Sequence, residues 1–396
     1  MSAGRTAALT AALLAVLAAG LWIGGHPTTM PPILRDVFVD ESGGLTAEAT
    51  ELIEDNYYRT VSGDDLIDSS LRGMVRGLRR RYDDRFTEYF SEEMLKRFRE
   101  AIAGRFTGIG LSVLKVKRGL RAERVFKGSP AERAGIEPGD TIVSVEGRPI
   151  AGVGAMAATE RIKGPEGTEV TVGVLPGEGG RVREVTLTRA QISVPVVSDR
   201  LIEDDGRKVG YVALAAFSEG AHTALRRAVR RVRRDGARGL VLDLRSNGGG
   251  LLQEAVLAAS VFLPEGTPVA TTKSRTQGDA SYEALGGNLP PVPTVVLIDG
   301  NTASAAEILT AALADEAGAV VVGARSFGKG VFQQEIDLSN GGALKLTVGE
   351  YFTPDGKNLA GNGIRPDIRA RDLPRTEADD VLERALRALP ARQGEE

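Results

Sequence analysis

There is no cysteine among the 396 residues, and histidine occurs only as His26 and His222. The first absence removes thiol nucleophiles, disulfides and cysteine-ligated metals together. The second leaves one histidine, His222, beyond the apolar N-terminal stretch. A multi-histidine zinc site is therefore excluded, and a serine–histidine–aspartate triad has a single candidate. No metal and no cofactor is expected. An excess of charge of one sign is lacking too: 50 Lys+Arg against 53 Asp+Glu leave a net charge of −3, which speaks against a nucleic-acid partner. The basic run RRAVRRVRR at 226–234 has helical spacing and reads as a solvated helix face.

What is present begins with an uncharged run, TAALTAALLAVLAAGLWIGG, at 6–25. Its length as a helix is about 30 Å, the thickness of a bilayer core. Arg5 precedes it and Trp22 lies near its far end. A transmembrane signal anchor is expected, with a cleaved signal peptide as the alternative and a buried core helix as a third reading. In the first two cases the remaining chain is extracytoplasmic: single-pass in the cell membrane, or secreted or periplasmic after cleavage.

The pattern along the chain divides it into a cytoplasmic tip and anchor (1–28), a linker and helical region (29–95), a compact mixed unit (96–190), an α/β core (191–385) and a tail (386–396). Up to about Gly104, apolar residues recur every three or four positions, as in DDLIDSSLRGMVRGLRRRY. From FTGIGLSVLKV (106–116), which predicts one strand opening on glycines, the period changes. AERAG and AMAATERIKGPEG predict helices, and TIVSVEG, TEVTVGVL and REVTLTRA predict strands. The passage TGIGL…AGIEPGDTIVSVEGRPI resembles a PDZ domain. That resemblance implies that Gly108, Ile109, Gly110 and Leu111 present backbone N–H groups to a peptide's terminal carboxylate, while the peptide adds a strand to the sheet edge. A plain tight turn is the structural alternative for TGIG.

Beyond Val194, short apolar runs alternate with helical patterns, which predicts a layer of parallel strands with helices. Active sites in such sheets collect at the carboxyl ends of strands. Three turns fall there: RSNGGG after GLVLDL, DGNTAS after TVVLI, and SFGKG after AVVVGA. Ser304 stands where a strand ends and the helix SAAEILTAALA begins. It reads either as a helix N-cap or as a nucleophile, which gains from the N–H groups of a helix start. A serine nucleophile needs a base. His222, in the first turn of an amphipathic helix beside Glu219, reads as a surface or capping residue. Lys329, flanked by Gly328 and Gly330 and by Phe327, Val331 and Phe332, reads as an exposed turn lysine or as a desolvated base.

VGYVALAAF, GLVLDLRSNGGG, VVLIDGNTASAAEI and GARSFGKGVFQ follow one another after the PDZ-like unit. In that order, with LKLTVGEYFTPDGKNLAGNGIRPDI behind and RFTEYFSEEMLKRFREAIAGRFTGIG ahead, they resemble the carboxyl-terminal processing proteases over about residues 45–385. The resemblance implies a serine endopeptidase with a crotonase/Clp-like α/β core that cuts exported proteins near C-termini read by its PDZ domain. By motif it makes Ser304 the nucleophile, Lys329 the general base and Gln333 the residue that orients the base. Ala305 and a glycine of the LRSNGGG turn, Gly249, supply the oxyanion-hole N–H groups. Peptide substrates with apolar C-termini and a homodimer are the implied partners. The family turn commonly has proline or serine where this chain has Gly248, which leaves the choice among Gly248, Gly249 and Gly250 open. The helical region has YDDRFTEYF where an Asp-Pro turn is common. A PDZ scaffold on an inactive core and an acyl-CoA-binding crotonase-like enzyme are the competing classes; the ordered Ser304, Lys329 and Gln333 favour the protease.

Overall fold

The structure is a computed structural model that describes residues 41–371 and 379–390. The anchor expected over 1–28 lies outside them. Among the described residues no helix is long and apolar enough to cross a membrane. The chain divides into two units, one of residues up to 91 with 335–346, the other of 92–334 with 347 onward.

The first unit contains helices α1 (Glu41–Asn56) and α2 (Gly63–Tyr82) and strand β1 (Glu88–Phe90). Asp64 and Asp65 lie in the first turn of α2 and Arg79, Arg80 and Arg81 in its last, the order that complements the helix dipole. β1 pairs antiparallel with residues 343–345. The helical spacing of this region gave no hint of it, because EYF is three residues long and earns its place by burying Tyr89 and Phe90.

The second unit opens with α3 (Glu92–Ala103), β2 (Arg105–Gly108), β3 (Leu111–Val116), β4 (Gly119–Val125), α4 (Pro130–Arg133), β5 (Thr141–Val145), β6 (Arg148–Pro149), α5 (Ala155–Ile162), β7 (Glu169–Leu175) and β8 (Arg183–Thr188). The strand order β3-β4-β5-β7-β8 leaves β3 at an edge. Ile142, Val172 and Val174 of the sheet pack with Ala131, Ala158 and Ile162 of the two helices as a separate core. The single strand expected over 106–116 is two. The chain turns at Gly110, and β2 pairs with β9 (Ala190–Ser193) instead of joining the sheet.

There follow β10 (Val197–Asp204), β11 (Arg207–Leu214), α6 (Ala221–Arg234), β12 (Gly239–Asp243), α7 (Leu252–Ala259), β13 (Pro268–Lys273), β14 (Ala280–Glu283), β15 (Thr294–Ile298), α8 (Ala305–Ala317), β16 (Val320–Gly323), β17 (Val331–Asp337), β18 (Ala343–Phe352), β19 (Ile368–Arg369) and α9 (Asp380–Ala388). The main sheet runs β10-β11-β12-β15-β16-β19. It is parallel apart from β10, which pairs antiparallel with β11. Both faces are covered, so its central strands are apolar throughout. Leu240 and Leu242 of β12 pack with α6, α7 and α8, while Val241 between them packs with Val381, Leu382 and Ala385 of α9. α9 runs to Ala388, past the boundary expected at 385.

Arg245 ties α9 to the sheet. Its guanidinium donates to Asp243 (2.6 Å) and to Asp379 (2.9 and 2.7 Å), and Asp379 in turn caps α9 by accepting from the Leu382 N–H. Burial alone would push the guanidinium pKa down, but hydrogen bonds to the two carboxylates raise it; burial would likewise push Asp379 up, but the bond from Arg245 holds it below the usual carboxylate range. Arg245→Met leaves the Asp243 side chain, 8% exposed, as a buried charge without its cation. The expected loss is about 3 kcal/mol of stability, read as a lower midpoint in urea unfolding. An unchanged midpoint would mean that α9 does not depend on this pair.

Candidate active site

The parallel order brings the three glycine-rich turns together, because β12, β15 and β16 are adjacent and end at the same edge. Backbone and side-chain bonds fasten the turns to each other. Ala303 N–H donates to Asn247 O (2.9 Å), and Thr302 Oγ1 donates to Leu244 O (2.8 Å). Phe327 N–H donates to Thr302 O (2.9 Å), joining the lysine turn to the serine turn. The Asp299 carboxylate accepts from the N–H groups of Ser246 (2.9 Å), Asn301 (2.9 Å) and Thr302 (3.0 Å). Burial would raise the Asp299 pKa, but these bonds hold the carboxyl below its ordinary range.

Ser304 is buried at the N-cap position of α8 with φ 57°, ψ −120°. A positive φ is uncommon for a residue with a side chain and marks local strain held by surrounding contacts. Gly249 lies against Ser304. A Cβ at Gly249, where φ is 96°, would stand 2.9 Å from Ser304 Cβ and 3.0 Å from Ala305 N, so only glycine permits this approach.

The buried Glu307 was not foreseen. Its carboxylate reaches back to Ser304 N–H (2.8 Å) and forward to the N–H groups of Gly328 (2.7 Å) and Lys329 (2.9 Å), and it also accepts from Ser326 Oγ. One side chain therefore holds the backbone of both turns that carry the predicted dyad. A signal was present: serine followed three residues later by glutamate at a helix start is the capping-box spacing. What the spacing does not reveal is the reach of that carboxylate into a turn more than twenty residues away.

Lys329 itself is half-buried. The 358–363 loop packs on its turn so closely that a Cβ at Gly330 would meet Ala360 N at 2.2 Å. Gln333, two positions into β17, donates from Nε2 to Thr347 Oγ1 (3.3 Å) across the hairpin. The Gly249 N–H donates to Asn247 Oδ1 (2.9 Å). His222 is turned to Glu254, with Nδ1 2.8 Å from Oε2, while Nε2 meets Thr223 Oγ1 at 3.0 Å. Glu254 also accepts from Gly220 N–H (2.8 Å), so the pair serves the start of α6. Among the described residues no cluster of three or more His, Cys, Asp or Glu could hold a metal ion.

The predicted peptide-binding residues lie together at the start of the mixed unit. Gly108 ends β2, paired with Ala190. Ile109 is buried, and its carbonyl accepts from Ala131 N–H (2.9 Å). Gly110 turns at φ 87°, and Leu111 begins the edge strand β3. An edge strand has a row of backbone groups available for an added strand.

Residues 208–370 match peptidase family S41 and residues 98–175 match the PDZ domain. A probable CtpA-like serine protease of Staphylococcus aureus (strain bovine RF122 / ET3-1) is 35% identical over 339 residues, covering 84% of this chain and 65% of its own length. The chain thus spans slightly less than two thirds of that relative. The carboxy-terminal processing protease CtpA of Bacillus subtilis (strain 168) is 32% identical over 327 residues, covering 83% of this chain and 68% of its own. Among solved structures, the photosystem II D1 C-terminal processing protease is 29% identical with a TM-score of 0.48, covering 84% of this chain and 94% of its own.

Proposed function

The chain belongs to peptidase family S41, with a PDZ domain before its α/β core, and from that premise we propose that it is a serine endopeptidase of the carboxyl-terminal processing type. Ser304 is the nucleophile and Lys329 the general base. The observation that carries this reading is the Glu307 carboxylate, which fixes the Ser304 and Lys329 turns to one anchor. In the reaction the neutral Lys329 amine takes the Ser304 hydroxyl proton as Oγ attacks the scissile carbonyl. The Ala305 N–H, at the start of α8, donates to the oxyanion that forms. The protonated lysine then returns its proton to the leaving amine, and water repeats the sequence on the acyl-enzyme. Gln333 orients Lys329 from the strand that follows it.

The PDZ domain captures substrate through an apolar C-terminus laid along β3, its carboxylate at residues 108–111. An unfolded protein ending in an apolar tail tests both parts. Amidation of that terminus removes the charge-assisted bonds, each worth about 1.5 kcal/mol or more. KM is expected to rise by about tenfold or more with kcat little changed. Equal KM for the free and amidated tails would remove the PDZ from substrate recognition.

The uncharged segment 6–25 supports a single-pass anchor that leaves the catalytic part outside the cytoplasm; recovery of the full chain in the soluble fraction, uncleaved, would exclude it. A homodimer is proposed as well, since the first unit leaves Leu52, Tyr58, Ile67, Met74 and Tyr82 exposed. Sedimentation equilibrium at the mass of one chain, at concentrations well above those of the assay, would rule it out.

A further inference from the structure

The hairpin of β3 and β4 concentrates charge of one sign. Residues 115–127 hold six Lys and Arg against the single acid Glu123, in a chain whose net charge is −3. Lysine on an edge strand has a structural use, since it discourages unwanted pairing. Arg121 and Arg124 do not serve that use, because they lie on β4, an inner strand between β3 and β5. Both are exposed, and neither side chain has an ion-pair partner among the described residues. Alternation fixes the side on which they stand. Leu111, Val113 and Val125 pack with Ala131, Ala158 and Ile162 in the apolar core. Ser112 and Leu114 therefore face the other side of the sheet, and their partners across the ladder are Arg124 and Arg121. A register shift between Ser112 and Val113 leaves Glu123 out of the pairing.

A peptide added antiparallel to β3 continues this alternation. Its apolar terminal side chain takes the core side, with Leu111, and so does the residue two before it. The residues one and three before the terminus then take the outer side. The first stands in the row of Ser112 and Arg124, the other in the row of Leu114 and Arg121. Two strand spacings, about 9.6 Å, separate the peptide from β4. An arginine and a glutamate that reach toward each other cover that distance. Ser112 between them is small, and Leu114, 46% exposed, offers apolar surface for an arginine stem. We propose that Arg121 and Arg124 read a second feature of the substrate: acidic side chains one and three residues before an apolar C-terminus. Each guanidinium presents paired N–H donors to a carboxylate. Glu123 opposes this attraction, and its neutralisation should strengthen it.

This inference rests on the reading that substrate lies along β3 with its carboxylate at residues 108–111. Its test uses the full chain carrying Ser304→Ala, so that the probe is not cut. The probe is a short labelled peptide ending in a free leucine, with Glu, Gln or Lys at both outer-side positions. Two exposed ion pairs predict that the Glu tail binds about 5- to 20-fold more tightly than the Gln tail at low salt, with the Lys tail weakest. In about 0.5 M sodium chloride the preference should shrink to about twofold or less. Arg121→Glu combined with Arg124→Glu should reverse the order, making the Lys tail the tightest. Each ratio is taken within one variant, so the folded fraction cancels. Equal affinity for Glu and Gln tails, or a Glu preference that survives the reversal, would overturn the role of the two arginines. The Gln tail tests the underlying reading separately. Its affinity should fall when its terminus is amidated; affinity indifferent to amidation would overturn the β3 site, and this inference with it.

Discussion

Replacement of Ser304 by alanine is expected to lower peptide hydrolysis by at least about 10⁴-fold, and Lys329→Ala by a similar factor. The double variant should be little slower than either single one, because nucleophile and base act as a unit and their losses do not add. Composition makes the expectation sharp. Without cysteine no thiol stands in, and His222, bonded to Glu254 and Thr223, is committed to the start of α6. Substrate binding should survive in both variants, since the peptide-binding loop at 108–111 belongs to a separate hydrophobic core. Hydrolysis of an unfolded protein with an apolar C-terminus, followed by mass spectrometry, measures the effect. Either variant cutting at the wild-type rate would remove its residue from the dyad.

The second large effect is expected at Glu307. Its carboxylate accepts from three backbone N–H groups and the Ser326 hydroxyl with no exposure to solvent. Glu307→Gln keeps the volume but replaces one acceptor oxygen by an amide NH₂, which then faces donors. A buried donor left without an acceptor costs about 1–3 kcal/mol, so the urea midpoint should drop. The larger consequence is kinetic, because the Ser304 and Lys329 turns lose their shared anchor and small misplacements at a reacting centre cost about 100-fold in rate. kcat should fall by about that factor while tail binding to the PDZ domain is preserved. A Glu307→Gln enzyme with unchanged kcat would show that the two turns are positioned by other contacts, such as the bond from Phe327 N–H to Thr302 O.

Much of the core was legible because burial on both faces writes continuous apolar runs. GLVLD, TVVLI and VVVG are strands of the parallel sheet, and each runs into the glycine-rich turn expected of it. β10 was not legible: VSDRLIED carries four charges, and as an antiparallel edge strand it needs no apolar run. β1 hid inside a helical stretch, and the break at Gly110 looked like one strand because the glycine falls between two β patterns. In the site, the turns holding Ser304 and Lys329 were legible from local residue types. Glu307 and Asp299 were not, since each acts on residues brought near by the fold. The Gly249 turn shows the same limit from the other side. Its close approach to Ser304 follows from the glycine, but the direction of its N–H depends on Asn247 Oδ1.

The most direct test of the account is covalent labelling of the enzyme with a serine-directed fluorophosphonate, followed by peptide mapping. The wild type is predicted to carry one adduct, on Ser304, and Lys329→Ala to form it at least about 10³ times more slowly, since the serine then lacks its base. An adduct on another serine, or Ser304 labelled as fast without Lys329 as with it, would contradict the dyad.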